Sequence, residues 1–136
     1  MTTPLKQSQP TETSTERPQA YILVVDDEEL LVEAMKEIFA KDGCRVETAS
    51  NGVEGLNKFQ RNRFDIIFSD HSMPEMNGME LAEQVKLMSP KTPFIMVTAY
   101  AHLLRKKQGE HKNIDLIVDK PFEPQALLDA LQKYLS

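Results

Sequence analysis

The chain has 136 residues, of which 40% are hydrophobic and 27% charged, and its formal net charge is −5 at pH 7. This composition suits one soluble globular domain and disfavours direct binding of nucleic acid, because no basic stripe is present. No apolar run approaches the roughly 18 residues of a membrane span, residues 1–19 lack the apolar centre of a secretory signal, and the lone Cys44 excludes an internal disulfide and fits a cytoplasmic protein.

The first 19 residues differ in composition from the rest of the chain. They contain three prolines, many Ser, Thr and Gln residues, and Leu5 as the one large aliphatic side chain. Such a segment buries too little apolar surface to offset the entropy that is lost on ordering. We therefore predict a disordered tail or linker at 1–19 and a folded domain at 20–136.

Apolar runs and helical stripes alternate along the folded part. Continuous or weakly alternating apolar runs predict five strands, at 21–25, 44–49, 64–69, 94–97 and 114–118. Helical spacing predicts five helices, at 28–41, 53–63, 79–88, 101–111 and 124–135. The alternation predicts an α/β fold with a doubly wound five-stranded parallel sheet, order 2-1-3-4-5, flanked by five helices as in flavodoxin-like folds.

The first helix is predicted to be amphipathic, with one apolar stripe. That stripe is formed by Leu30, Leu31, Ala34, Met35, Ile38 and Phe39. The third helix carries Leu81, Ala82, Val85 and Met88.

Polar residues stand where four of the apolar strands end. Asp26 and Asp27 follow strand 1, Asp70 follows strand 3, Thr98 ends strand 4 and Lys120 follows strand 5. In a doubly wound sheet the binding crevice lies outside the carboxyl ends of the strands, at the switch point between strands 1 and 3. We therefore predict that these five side chains face one crevice, although Asp26 or Asp27 alone would also suit the N-cap of the first helix.

Three carboxylates at close range raise one another's pKa, and a hard cation relieves that repulsion. Mg²⁺ is the predicted ion, because it prefers oxygen ligands and the three histidines have no ligand spacing among them. A carboxylate can also attack phosphorus to give an aspartyl-phosphate. Asp70 is the predicted nucleophile because it stands alone, whereas Asp26 and Asp27 are adjacent and suit a shared metal; Lys120 and Thr98 supply a charge and a hydroxyl to the phosphoryl oxygens.

Four motifs carry a resemblance to a known family. They read ILVVDDE at 22–28, DHSMPEMNG at 70–78, VTA at 97–99 and DKPF at 119–122. With them the chain resembles, over 20–136, the receiver domain of two-component response regulators, such as the chemotaxis regulators. The resemblance implies that a histidine kinase or a phosphotransfer protein phosphorylates Asp70 in a Mg²⁺-dependent reaction.

The resemblance also implies roles for individual residues around Asp70. Asp27 would ligate Mg²⁺ directly and Asp26 mainly through water, and the backbone carbonyl of Ser72 would be a further ligand. Lys120 would pair with the phosphoryl group, and the peptide bond before Pro121 would be cis.

A second set of positions is expected to control the switch or the lifetime of the phosphate. Ile117 stands where the family usually carries Tyr or Phe, and Ala99 and Tyr100 follow Thr98. A phenol ring at position 100 would shield the phosphoryl group from water. The expected output is altered binding to a partner, or to a second copy through the face of helix 4, strand 5 and helix 5, with no enzymatic activity beyond self-catalysed phosphoryl uptake and loss.

Two other functions are compatible with the same residues. One is a receiver-like interaction module that is never phosphorylated. The other is a small Mg²⁺-dependent phosphohydrolase, although haloacid-dehalogenase-type enzymes carry Asp-x-Asp after strand 1 and this chain reads Asp-Glu-Glu at 27–29. The given sequence ends shortly after the last predicted helix, and we expect either a stand-alone regulator or a fragment of a longer protein.

Overall fold

Five strands and five helices alternate in the computed structural model, which describes residues 19–106 and 111–135. The strands are β1 (Tyr21–Val25), β2 (Arg45–Ala49), β3 (Ile66–Ser69), β4 (Phe94–Thr98) and β5 (Leu116–Asp119). The helices are α1 (Glu29–Lys41), α2 (Gly52–Arg61), α3 (Gly78–Met88), α4 (Ala101–Lys106) and α5 (Pro124–Leu135). All strand pairs are parallel and the order is β2-β1-β3-β4-β5, so the predicted fold class is confirmed.

Helices cover both faces of the sheet. On one face, Ile22 and Val24 of β1 pack in a core cluster with α1 and α5. On the other face, Leu23 and Val25 pack with residues of α2, α3 and α4. Successive side chains of a strand point to opposite faces, so a strand buried on both sides is apolar at every position, as β1 is.

The buried face of α1 differs from the predicted stripe. Leu30 is 86% exposed and Ala34 is exposed, so their assignment to the core of α1 is wrong. The buried residues of α1 are Val32, Met35 and Phe39. Because residues 30–32 are all apolar, the sequence does not determine which of them faces the sheet. In the structure Val32 faces the sheet and Leu30 does not. Met88, the last residue of α3, is exposed.

Some predicted segments extend beyond the observed elements. β5 begins at Leu116 rather than at position 114, and α4 covers Ala101–Lys106 of the predicted helix at 101–111. Residues 107–110, like residues 1–18 of the predicted tail, lie outside the described residues. Within the described ranges, no helix has the length and apolar character that crossing a membrane requires.

The loop between β3 and α3 is closely packed against the end of β3. Asn77 and Glu80 form a reciprocal capping box that begins α3. The N–H of Gly78 donates to the carbonyl of His71 at 2.9 Å. A Cβ at position 78 would lie 2.1 Å from the carbonyl oxygen of Asp70, so only glycine allows this approach.

Candidate functional site

Hydrogen bonds from neighbouring strands fix the backbone of the predicted site residues. The N–H of Asp26 donates to the Ala49 carbonyl at 3.0 Å, and the N–H of Asp70 donates to the Val25 carbonyl at 2.8 Å. The N–H of Lys120 donates to the Thr98 carbonyl at 2.9 Å. Each bond extends a strand ladder by one residue, so the site stands on the rigid carboxyl end of the sheet.

Three acidic side chains meet at this edge. Asp26, Asp27 and Asp70 each offer a carboxylate oxygen, and these oxygens lie within 4.8 Å of one another. Asp26 is 2% exposed and Asp70 is 8% exposed, whereas Asp27 faces solvent. The carboxylate oxygens of two buried acids and one exposed acid together form a set of ligands that fits a hard divalent cation such as Mg²⁺.

The ammonium group of Lys120 lies among these acids. Its Nζ is 2.8 Å from Asp26 Oδ2, 3.1 Å from Glu28 Oε1 and 3.3 Å from Asp70 Oδ1. The Lys120 side chain is 13% exposed, so these ion pairs are partly shielded from water. The peptide bond between Lys120 and Pro121 is cis, as the resemblance implies.

The charges of Asp26 and Lys120 respond to this arrangement. Burial raises the pKa of Asp26, and the nearby Asp70 carboxylate adds to the rise, against hydrogen bonds from Lys120 and from the Glu28 N–H. Burial alone would lower the pKa of Lys120, but its hydrogen bond to Asp26 and the charges of Asp26 and Asp70 raise it overall. Lys120 therefore stays charged, whereas the surroundings of the Asp26 carboxylate disfavour its ionised form.

The two carboxylate oxygens of Asp70 have different surroundings. Oδ1 accepts a hydrogen bond from the His71 N–H at 2.8 Å and lies near Lys120. Among the described residues, Oδ2 has no hydrogen-bond donor. One oxygen is thus held in position, and the other is available to bind a ligand.

The remaining predicted residues are not part of this cluster of charged side chains. Thr98 is buried at the end of β4, and its hydroxyl oxygen accepts a hydrogen bond from the Tyr100 N–H at 3.1 Å. Ala99 and Tyr100 are exposed in the turn before α4, and Ser72 is exposed in the loop after β3. Ile117 of β5 is partly buried against the cluster formed with α3 and α4.

Glu28 is a member of the site that the sequence did not single out. The N-cap of α1 is Glu28, not Asp26 or Asp27, and its side chain makes no capping hydrogen bond. Instead the carboxylate of Glu28 binds Lys120, and its N–H donates to Asp26 Oδ1 at 2.9 Å. The one signal in the sequence is that a third acid directly follows the pair at 26–27.

The sheet order, the acidic edge and the lysine opposite it define the class of the protein. A family model described as the response regulator receiver domain matches residues 22–132. The chain therefore belongs to the receiver domains of two-component response regulators.

Particular relatives are similar over most of the chain. The sporulation initiation phosphotransferase F of Bacillus subtilis (strain 168) is 30% identical over 114 residues, which are 84% of this chain and 92% of the relative. The transcriptional regulatory protein GlrR of Escherichia coli (strain K12) is 30% identical over 116 residues. The chain spans only 26% of the length of that regulator.

Solved structures share the fold. The chemotaxis response regulator CheY4 of Vibrio cholerae superposes with a TM-score of 0.80 and 36% identity, covering 87% of this chain and 100% of the other. The response regulator TrrA of Thermotoga maritima, solved in complex with Mg²⁺ and BeF, has a TM-score of 0.79 and 32% identity. The match covers 86% of this chain and 100% of TrrA.

Proposed function

We propose that this receiver domain is a phosphoacceptor switch, in which Asp70 receives a phosphoryl group from a histidine kinase or a phosphotransfer protein in a Mg²⁺-dependent reaction. The observation that carries the proposal is the position of Lys120, 3.3 Å from a buried Asp70 whose second oxygen has no donor among the described residues. A relative named as a phosphotransferase supports the proposed chemistry.

In the proposed reaction a carboxylate oxygen of Asp70 attacks phosphorus. The new P–O bond forms as the P–N bond of a donor phosphohistidine breaks, and the electron pair leaves with the imidazole nitrogen. Lys120 offers its charge to the phosphoryl oxygens. The hydroxyl of Thr98, whose oxygen accepts from Tyr100, keeps its own proton free to donate. These groups position and stabilise the transferred group rather than take part in covalent chemistry.

Four oxygen donors would hold the metal ion. The Asp27 carboxylate has no hydrogen-bond donor among the described residues, which suits a direct ligand. Asp70 also suits this role, through its Oδ2 atom. Both oxygens of Asp26 already accept hydrogen bonds, from Lys120 and from the Glu28 N–H, which suits ligation through water. The Ser72 carbonyl completes the proposed set. When bound, Mg²⁺ would neutralise charge on the transferred phosphoryl group.

The proposed output surface lies beside β5, one of the two edge strands of the sheet. Arg105 of α4 donates to the Ile117 carbonyl at 2.8 Å and pairs with Asp119 at 3.2 Å. A cavity of about 430 Å³ lies between β5 and α5. In the proposal, the phosphoryl group adds about −1.5 to −2 charge at the crevice, and repacking of Ile117 carries the change to this face, where a partner or a second copy binds.

A single experiment separates this function from its two alternatives. The protein is incubated with acetyl phosphate and Mg²⁺, and intact mass is measured for the wild type and for Asp70→Asn. We expect one phosphoryl group on the wild type, none on Asp70→Asn and none with a chelator. Multiple turnover of small phosphate esters would instead support a phosphohydrolase, and a folded wild type that takes up no phosphate would support an interaction module.

Tyr100 is predicted to set the lifetime of the phosphate. Its side chain is 52% exposed in the turn after Thr98, where the ring can screen the phosphoryl group from attacking water. Tyr100→Ala should shorten the half-life of the phosphorylated form, and Tyr100→Phe should preserve it. Decay is followed by intact mass after removal of the donor; equal half-lives for the alanine variant and the wild type would contradict the prediction.

A further inference from the structure

Three carboxylates surround the ammonium group of Lys120, and those of Asp26 and Glu28 accept hydrogen bonds from it. Two of them, Asp26 and Asp70, belong to the acidic group that fits a cation, and Glu28 does not belong to it. The Glu28 contact, 3.1 Å from Oε1 to Nζ, is nonetheless shorter than the Asp70 contact of 3.3 Å. A cation bound to the acidic group would therefore not engage the Glu28 carboxylate. Glu28 would remain an acceptor for Lys120.

The backbone holds Glu28 at the rim of the crevice. Its N–H donates to Asp26 Oδ1, and its carbonyl accepts from the Val32 N–H at 3.0 Å in the first turn of α1. Glu28 is the N-cap residue of α1, and its side chain makes no hydrogen bond to the free N–H groups of that helix. Its carboxylate binds Lys120 instead, across 92 positions of sequence.

We propose that Glu28 is a specificity-determining residue that slows phosphoryl uptake from free anionic donors, because it competes with the phosphoryl oxygens for Lys120. The inference rests on the proposed function of Asp70. Phosphoryl oxygens need the N–H donors that Glu28 now shares. A protein donor that brings its own cation to the 63%-exposed Glu28 side chain removes this competition.

The test measures, by intact mass, the rate of phosphoryl uptake from acetyl phosphate in the wild type and in variants. Acetyl phosphate is subsaturating and Mg²⁺ is saturating. Glu28→Gln keeps the size of the side chain and removes its charge. Because exposed ion pairs are weak, we expect uptake to become about twofold to fivefold faster. The matched control is Glu29→Gln, which removes the same charge one residue away, beside Asp27 but not paired with Lys120, and should have a smaller effect.

A second background shows whether Glu28 acts through Lys120. In Lys120→Ala protein, Glu28→Gln should leave the uptake rate unchanged. The inference is overturned if Glu28→Gln is no faster than the wild type, if Glu29→Gln accelerates uptake equally, or if the acceleration persists without Lys120. Each of these results leaves the proposed function standing, whereas a wild type that binds Mg²⁺ and takes up no phosphate overturns the proposed function itself.

Discussion

Asp26→Asn is expected to be more stable than the wild type without Mg²⁺ and to lose most of the stability that Mg²⁺ adds. The wild type buries a carboxylate whose pKa is raised, so its ionised form costs free energy in the folded state. The amide removes that charge and its repulsion of Asp70. Mg²⁺ at ten times its Kd should add about 1.4 kcal/mol to the unfolding free energy of the wild type. Urea unfolding with and without Mg²⁺ measures both effects.

The pH dependence provides an independent check on the same pair of proteins. A raised folded pKa contributes stability that is fully present below the ordinary value of 3.8 and is lost as pH rises through the folded pKa. Without Mg²⁺, the advantage of Asp26→Asn should therefore be small in acid and grow toward neutral pH. Asp42→Asn, at the exposed C-cap of α1, is the control and should show neither effect. A metal-free Asp26→Asn that is less stable than the wild type at neutral pH would contradict this explanation.

Gly78→Ala is expected to destabilise the fold by about 3 kcal/mol, at the upper end of overpacking effects. The new Cβ would lie 2.1 Å from the Asp70 carbonyl oxygen and 3.0 Å from Met96 Sδ. The carbonyl belongs to the backbone and cannot rotate away. Relief therefore requires movement of Asp70 itself, and uptake of phosphate should fall on the order of tenfold to a hundredfold. Urea unfolding and intact mass measure the two losses.

Gly43→Ala separates steric overlap from backbone strain. Gly43 has φ of +86°, and no atom lies within 4 Å of an added Cβ. The strain of a positive φ should cost about 1 kcal/mol, and uptake of phosphate should not change, because Gly43 follows α1 at the opposite end of β2 from the acidic edge. Equal losses of stability and uptake in the two variants would contradict the assignment of the effect to the Asp70 carbonyl.

The centre of the sheet was predictable because β1, β3 and β4 are buried on both faces. The run at 22–25 is apolar at every position, so neither face of this strand suits contact with water. The side of α1 that faces the sheet was not predictable, since Leu30, Leu31 and Val32 are all apolar and differ only in angle around the helix. The tertiary contacts of Val32, Met35 and Phe39 decide between them.

The convergence of the acidic residues was predictable from topology alone, because the carboxyl ends of parallel strands share one edge. The pairing of Glu28 with Lys120 was not, because it depends on how far two long side chains reach across the crevice. Gly78 belongs to a motif that the sequence shows, but the reason that position 78 requires glycine is the close approach of the Asp70 carbonyl. Both features require atomic positions and cannot be read from spacing.

The most direct measurement traps the acceptor residue chemically. Protein treated with acetyl phosphate and Mg²⁺ is reduced with borohydride, which converts an aspartyl-phosphate into homoserine, and its peptides are sequenced by mass spectrometry. The site described here predicts homoserine at position 70 and nowhere else, and none when the metal is chelated. Homoserine at position 26 or 27, or its formation at position 70 without any divalent metal, would contradict it.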